Sequence, residues 1–193
     1  MPEKYVWHLA EDSMIATKII ETERLLLREW LPADEALYIE MNRDEKVMEF
    51  FPSILTAEQS LMHIVRITEL IKNAGYGLFA VERKEDHAFI GFTGFSHPRF
   101  EASFTPCIEI GWRIGSEYWN RGYATEAAKA CLDFGFEKME WKDIYSFTSV
   151  LNTRSENVMK KIGMQKEGEF DHPLVENGHS LQKHVLYKIS QAK

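Results

Sequence analysis

Between Cys107 and Met139 the apolar pattern changes period across a single glycine, and any fold for this chain has to accommodate that switch. Before it, Ile108, Ile110, Trp112 and Ile114 alternate with Cys107, Glu109, Gly111 and Arg113, so a strand puts the two sets on opposite faces. After Gly122, apolar or small residues at 124, 127, 128, 131, 132, 135, 136 and 139 follow helical offsets without a miss. A strand thus runs through a glycine loop into a helix. Helix starts expose amide hydrogens that no helical carbonyl accepts, and their dipoles favour an anion. The segment Arg121 to Thr125 therefore suits a pyrophosphate cradle, and equally an ordinary turn in which Gly122 supplies an unusual backbone angle.

The flanking segments alternate between the same two periods. Leu25 to Trp30 reads as a strand, and Pro32 with Asp34 and Glu35 opens a helix ending near Asn42, its carboxylates opposing the dipole. Thr56 and Gln59 complete a capping box, and Leu61, Ile64, Val65, Thr68 and Ile71 mark the expected inner face of a helix that Asn73-Ala74-Gly75 closes. Leu78 to Glu82 and Phe89 to Phe95 form a hairpin through a charged turn. A strand at Ile144 to Val150, a helix at Arg154 to Ile162 ended by Gly163, and strands at Gln165 to Phe170 and Leu181 to Ile189 complete the pattern. The economical packing is an α/β (α+β) domain: a mixed sheet covered by helices on both faces.

At 193 residues, 45% of them hydrophobic, the chain suits one domain, assigned to 22–193 with 1–21 as an N-terminal extension. Lys and Arg total 23 against 30 Asp and Glu, a net charge of −7, which argues against general nucleic-acid binding. No apolar run approaches the roughly 18 residues of a membrane helix, and Met1 to Ala16 has no leader-like block, so a soluble cytoplasmic protein is expected. Cys107 and Cys131 have no metal-ligand spacing, no metal is expected, and the pair fits a reducing compartment.

Four segments carry a family resemblance that spans almost everything after residue 21. Trp119-Asn-Arg121-Gly122-Tyr123-Ala124, followed by Thr125-Glu126-Ala127, resembles the coenzyme A pyrophosphate loop of the GNAT superfamily of N-acetyltransferases, commonly Arg/Gln-x-x-Gly-x-Gly/Ala. Trp119 departs from the first position, as in the RimJ/RimL type of ribosomal-protein N-terminal acetyltransferase, and leaves Arg121 as the nearest basic group. Thr22 to Arg28, Phe89 to Phe95 and Asn152 to Gly163 resemble that branch's first strand, central strand and Asn-x-x-Ser helix. The resemblance implies a mostly antiparallel sheet of about six to seven strands and acetyl transfer from acetyl-CoA to a primary amine, foremost a protein or peptide N-terminus. It also implies pantetheine pairing with the backbone of Trp112 and Ile114, phosphate contacts at Arg121, Gly122, Tyr123, Ala124 and Thr125, an amide contact at Asn152, and a monomer or homodimer. A small amine such as a polyamine, an amino sugar or an amino acid is the alternative acceptor, and a non-catalytic coenzyme A module the alternative class.

Glu109 is the candidate general base, because burial on a packed strand raises a carboxyl pKa toward the range where it accepts a proton. Its plain alternatives are an ion pair with Arg113 or a solvent-facing carboxylate, and His97 is a rival base. Ser155 is the group expected to meet the departing sulfur, as the resemblance implies. Locally, Asn152 reads as a helix cap with Ser155 in the first turn. An acyl-cysteine route finds no histidine or helix start near Cys107 or Cys131 to activate a thiol. His172, His179, His184 and Tyr187 are expected to shape the last hairpin and one wall of the acceptor pocket.

Overall fold

The computed structural model describes residues 17–191. Eight strands form one sheet, from β1 (Lys18–Glu21), β2 (Leu25–Arg28), β3 (Leu78–Arg83), β4 (Ala88–Ser96) and β5 (Glu109–Ile114) to β6 (Asp143–Ser149), β7 (Gln165–Asp171) and β8 (Lys183–Ser190), in the order β1-β2-β3-β4-β5-β6-β8-β7. Every neighbouring pair is antiparallel except β5 with β6. The count exceeds the six to seven expected because Lys18–Glu21, read as part of the extension, adds an edge strand to β2. Residues 1–16 of that extension lie outside the described residues.

Helices α1 (Asp34–Met41), α2 (Glu45–Met48) and α3 (Ala57–Ala74) precede β3, while α4 (Tyr123–Glu137) and α5 (Thr153–Lys161) flank β6. Sheet residues divide between the two faces: Phe92 packs against Tyr38 of α1 and His63 of α3, whereas Phe95 meets Trp141 and the backbone of Gly135 in α4. The inward stripe of α4, with Ala127, Ala128, Cys131, Leu132 and Gly135 buried, is the one its spacing dictates.

Two expectations change. The buried face of α3 is Ser60, Ile64, Ile67 and Ile71, and Leu61 and Val65 are exposed. The turn is possible because Ser60 is satisfied where it lies, donating to Thr56 O and accepting from Asn42 Nδ2, each at 2.9 Å. Asp34 does more than oppose a dipole: it is buried and accepts from Arg28 Nη1 and Nη2 at 2.7 and 2.9 Å, while Arg28 Nε donates to Glu82 at 2.7 Å. This cluster pins β2 to α1 and β3. The capping box at Thr56 forms as expected, Thr56 Oγ1 accepting from Gln59 N at 3.1 Å. Thr56→Ala is expected to cost about 1 kcal/mol, read as a lower urea midpoint at unchanged slope.

Between β5 and β6 the ladder has one register pair, Glu109 with Tyr145, and Tyr145 N donates to Ile108 O at 2.9 Å. Strand alternation then turns the backbone groups of Trp112 and Ile114 toward β6 as well, where no ladder continues. β4, in contrast, pairs with β5 along its whole length, from Gly91 with Ile114 to Ser96 with Glu109. The strands part like a wedge.

Candidate active site

A cavity of about 590 Å³ opens along this wedge, and its lining brings together Glu109, Arg113, Gly122, Thr125, Asn152 and Ser155. Trp112, Ile114, Tyr123 and Ala124 also line it, so, leaving Arg113 aside, nine of the ten residues given catalytic or coenzyme A roles from the sequence meet at one site; Arg121 is exposed outside the lining.

Glu109 is half-buried, and Ser96 Oγ donates to its Oε2 at 3.2 Å. Burial pushes its carboxyl up to about 7, and the Ser96 bond opposes that only in part. No ion pair joins it to Arg113 among the described residues, because Arg113 Nη1 donates to Asn42 Oδ1 at 2.6 Å instead. His97 lies outside the lining, its ring nitrogens bonded to Tyr76 Oη at 2.8 Å and Cys107 O at 3.2 Å. Burial, helped by Glu109, pushes the Cys107 thiol up to about 11, and burial in α4 raises Cys131 further, so neither offers a thiolate at neutral pH.

At the other end, Gly122 has φ +82° and caps α4 without any side-chain bond. The first bond across the turn is Glu126 N to Gly122 O at 3.0 Å, so the amides of Tyr123, Ala124 and Thr125 precede the helical ladder. Arg24 was not singled out from the sequence, yet it clamps this loop: Nη1 donates to Arg121 O at 3.0 Å, Nε to Glu126 at 2.7 Å, and its guanidinium lies 4.7 Å from the Tyr123 ring centroid. Thr22 Oγ1 also donates to Glu126, at 2.6 Å.

Asn152 caps α5, accepting from Ser155 N at 3.1 Å, and its Nδ2 donates to Ser155 Oγ at 3.1 Å and Thr148 Oγ1 at 3.0 Å. Because Ser155 Oγ receives that bond, its own O–H remains free to donate elsewhere. His172 and His184 line the wall formed by β8 and the segment after β7; burial holds His172 down to about 4 and His184 below its usual value.

A model of the acetyltransferase (GNAT) domain matches residues 24–165. The chain belongs to the GNAT acetyltransferase family. It is therefore an N-acetyltransferase, and the family draws its acetyl group from acetyl-CoA. An uncharacterized N-acetyltransferase of Bacillus subtilis, YnaD, is 35% identical over 78% of this chain and 85% of its own. The crystal structure of a GNAT acetyltransferase from Bacillus anthracis is 31% identical, covers 89% of this chain and 97% of its own, and superposes with a TM-score of 0.72. A ribosomal-protein-S5-alanine acetyltransferase from Vibrio fischeri shares the fold, at 24% identity, TM-score 0.70, and coverage of 88% and 94%.

For a GNAT chain the unusual position is Trp119, and the geometry accounts for it. The indole Nε1–H donates to Ile114 O at 2.7 Å, tying the loop back to β5, and Arg154 lies 4.4 Å over the ring. Arg154, itself paired with Glu49, thus covers the loop from α5. The β6-facing backbone of β5 that no strand pairs beyond Ile110, apart from the Ile114 carbonyl taken by Trp119, the bare helix start and the αL glycine fit an extended, pyrophosphate-bearing ligand. Among the described residues no group of three metal-binding side chains gathers, and no helix is long and apolar enough to cross a membrane.

Proposed function

We propose that this chain acetylates a protein or peptide N-terminal amine directly, with Glu109 as general base and Ser155 as donor to the departing sulfur. The observation that carries the reading is Glu109: a carboxylate whose pKa lies near 7 beside the wedge of β5 and β6. Acetyl-CoA supplies the thioester carbonyl. The backbone of Trp112 and Ile114 holds the arm along β5, the amides of Tyr123 to Thr125 face the pyrophosphate with Arg121 at the loop edge, and Asn152 orients Ser155. An α-amine, with a pKa of about 8 against about 10.4 for lysine, is neutral often enough at pH 7 for a weak carboxylate base to complete its deprotonation. Residues 22–193 form the acetyltransferase unit in this reading.

The test is chromatographic measurement of coenzyme A release with peptides bearing free Ser, Ala or Met N-termini, against polyamines and aminoglycosides. Release driven by the peptides supports the reading; release driven by small amines alone overturns the acceptor assignment. Ser155→Ala is expected to lower kcat by about 10-fold with acetyl-CoA affinity retained, since a thiolate leaves more readily than an amine and needs its proton less. An unchanged kcat would remove Ser155 from the chemistry.

A further inference from the structure

The sheet buries two arginines and surrounds them differently. Arg28 is neutralised by Asp34 and Glu82. Arg113, only 9% exposed, has no carboxylate partner among the described residues; Asn42 takes one of its hydrogens and its Nε is buried with no partner. Its guanidinium lies 4.2 Å from the Phe51 ring centroid and 5.4 Å from that of Phe92, and it lines the cavity. Rings replace water around the charge without neutralising it, so a guanidinium buried with no carboxylate beside it favours an anion at the cavity.

The surroundings add positive potential. His63 also lines the cavity, its Nδ1 bonded to the Tyr38 hydroxyl, and Arg66 and Arg99 act on it together with Arg113. When Tyr38 donates that bond, Nε2 carries the ring hydrogen and is a second donor. Glu109, Gly111 and Arg113 share one face of β5 by strand alternation, and a Cβ on Gly111 would meet nothing within 4 Å. The row reads carboxylate, open floor, guanidinium, with about 13 Å between its end Cα atoms.

We infer that this row is the acceptor subsite and that the acceptor carries a carboxylate several bonds from its amine, the amine meeting Glu109 and the carboxylate meeting Arg113 and His63. The inference deepens the acetyltransferase reading and rests on it for the amine; the anion site stands on Arg113. A polyamine would set a second cation against Arg113, so the local field selects against the ligands that the net charge of −7 attracts at long range.

Matched acceptors test this. The pairs are the dipeptide Ser-Ala against its C-terminal amide, and the tripeptide amides Ser-Asp-Phe against Ser-Asn-Phe, which separate a terminal carboxylate from a side-chain one. Each is assayed for turnover, and its N-acetylated form is titrated calorimetrically into the coenzyme A complex. In at least one pair the acidic member is expected to show about 10-fold lower KM and Kd, and Arg113→Gln to shrink that ratio toward one while Arg113→Lys keeps part of it. Equal values for both members of both pairs in the wild type overturn the inference whether or not the variants fold. So does an Arg113→Gln effect confined to acetyl-CoA affinity, which would give the arginine to a donor phosphate. Selective binding without turnover supports the subsite and removes the peptide amine as the acetyl acceptor; turnover without selectivity does the reverse.

Discussion

Glu109→Gln is expected to lower kcat/KM by about 100- to 1000-fold, the range that a positioned general base contributes. The glutamine keeps the shape and the bond from Ser96 but cannot accept a proton, so the loss measures proton transfer rather than packing. The pH dependence gives the sign. The base works ionised, and with its pKa raised to about 7 the wild-type rate should climb as pH rises through 7, whereas the variant should keep only the later rise set by the amine's own pKa of about 8. Stability moves the opposite way. Because the folded carboxyl holds its proton to a higher pH than the unfolded one, the folded state binds more protons between about 4.5 and 7, and stability falls as pH rises through that window. The variant removes this penalty, so its thermal midpoint at pH 8 should exceed that of the wild type while its activity collapses. A variant that lost activity and stability together would mark Glu109 as a structural group, and a flat wild-type profile from pH 6 to 8 would remove it as the base.

Why Glu109 was legible, and its neighbours less so, follows from how far each signal travels along the chain. Its place on β5 rests on alternation within eight residues, and the helix after Gly122 on spacing within sixteen, so both elements appear in the structure where the sequence puts them. The register of the wedge is not local, since it joins Glu109 to Tyr145, and the part of the Trp112 and Ile114 backbone comes from the family resemblance rather than from alternation. Likewise, the Arg24–Glu126 bond spans 102 positions and the Arg113–Asn42 bond 71, and no periodicity encodes such pairs. Ser60 shows the same limit from another side. Ser60 is satisfied on a buried helix face by the Thr56 carbonyl and by Asn42, eighteen positions away, and apolar spacing sees neither, so by itself it rotates the face of α3 onto Leu61 and Val65. The four-residue elements β1 and α2 carry too few side chains to establish any period, although Asp44 caps α2 by accepting from Lys46 N at 2.9 Å. Arg113 sits between these cases: its position on the cavity face was readable, but its missing carboxylate was visible only once its neighbours were in place.

Gly122→Val is expected to weaken coenzyme A binding by about 100-fold or more, and the reason is conformational rather than steric. A Cβ at this position would lie 3.5 Å from the Arg24 guanidinium, an ordinary contact, so space is not limiting. The φ of +82° is: a β-branched residue leaves the left-handed region at a cost of roughly 1–2 kcal/mol or more, and the relaxation swings the amides of Tyr123, Ala124 and Thr125 away from their common focus. Two charge-assisted hydrogen bonds lost at about 1.5–3 kcal/mol each suffice for the stated effect. Gly122→Ala, which strains the same angle less, should fall between the two, at about 10-fold. The decisive control is pantetheine, which shares the arm that runs along β5 but lacks the phosphates. Calorimetric titration should show its affinity unmoved by either substitution while that of coenzyme A falls in the order Gly, Ala, Val. If pantetheine weakens in parallel, the glycine supports the whole wedge and the helix start has no special part in holding pyrophosphate; if neither ligand weakens, the amides of α4 do not hold the phosphates at all.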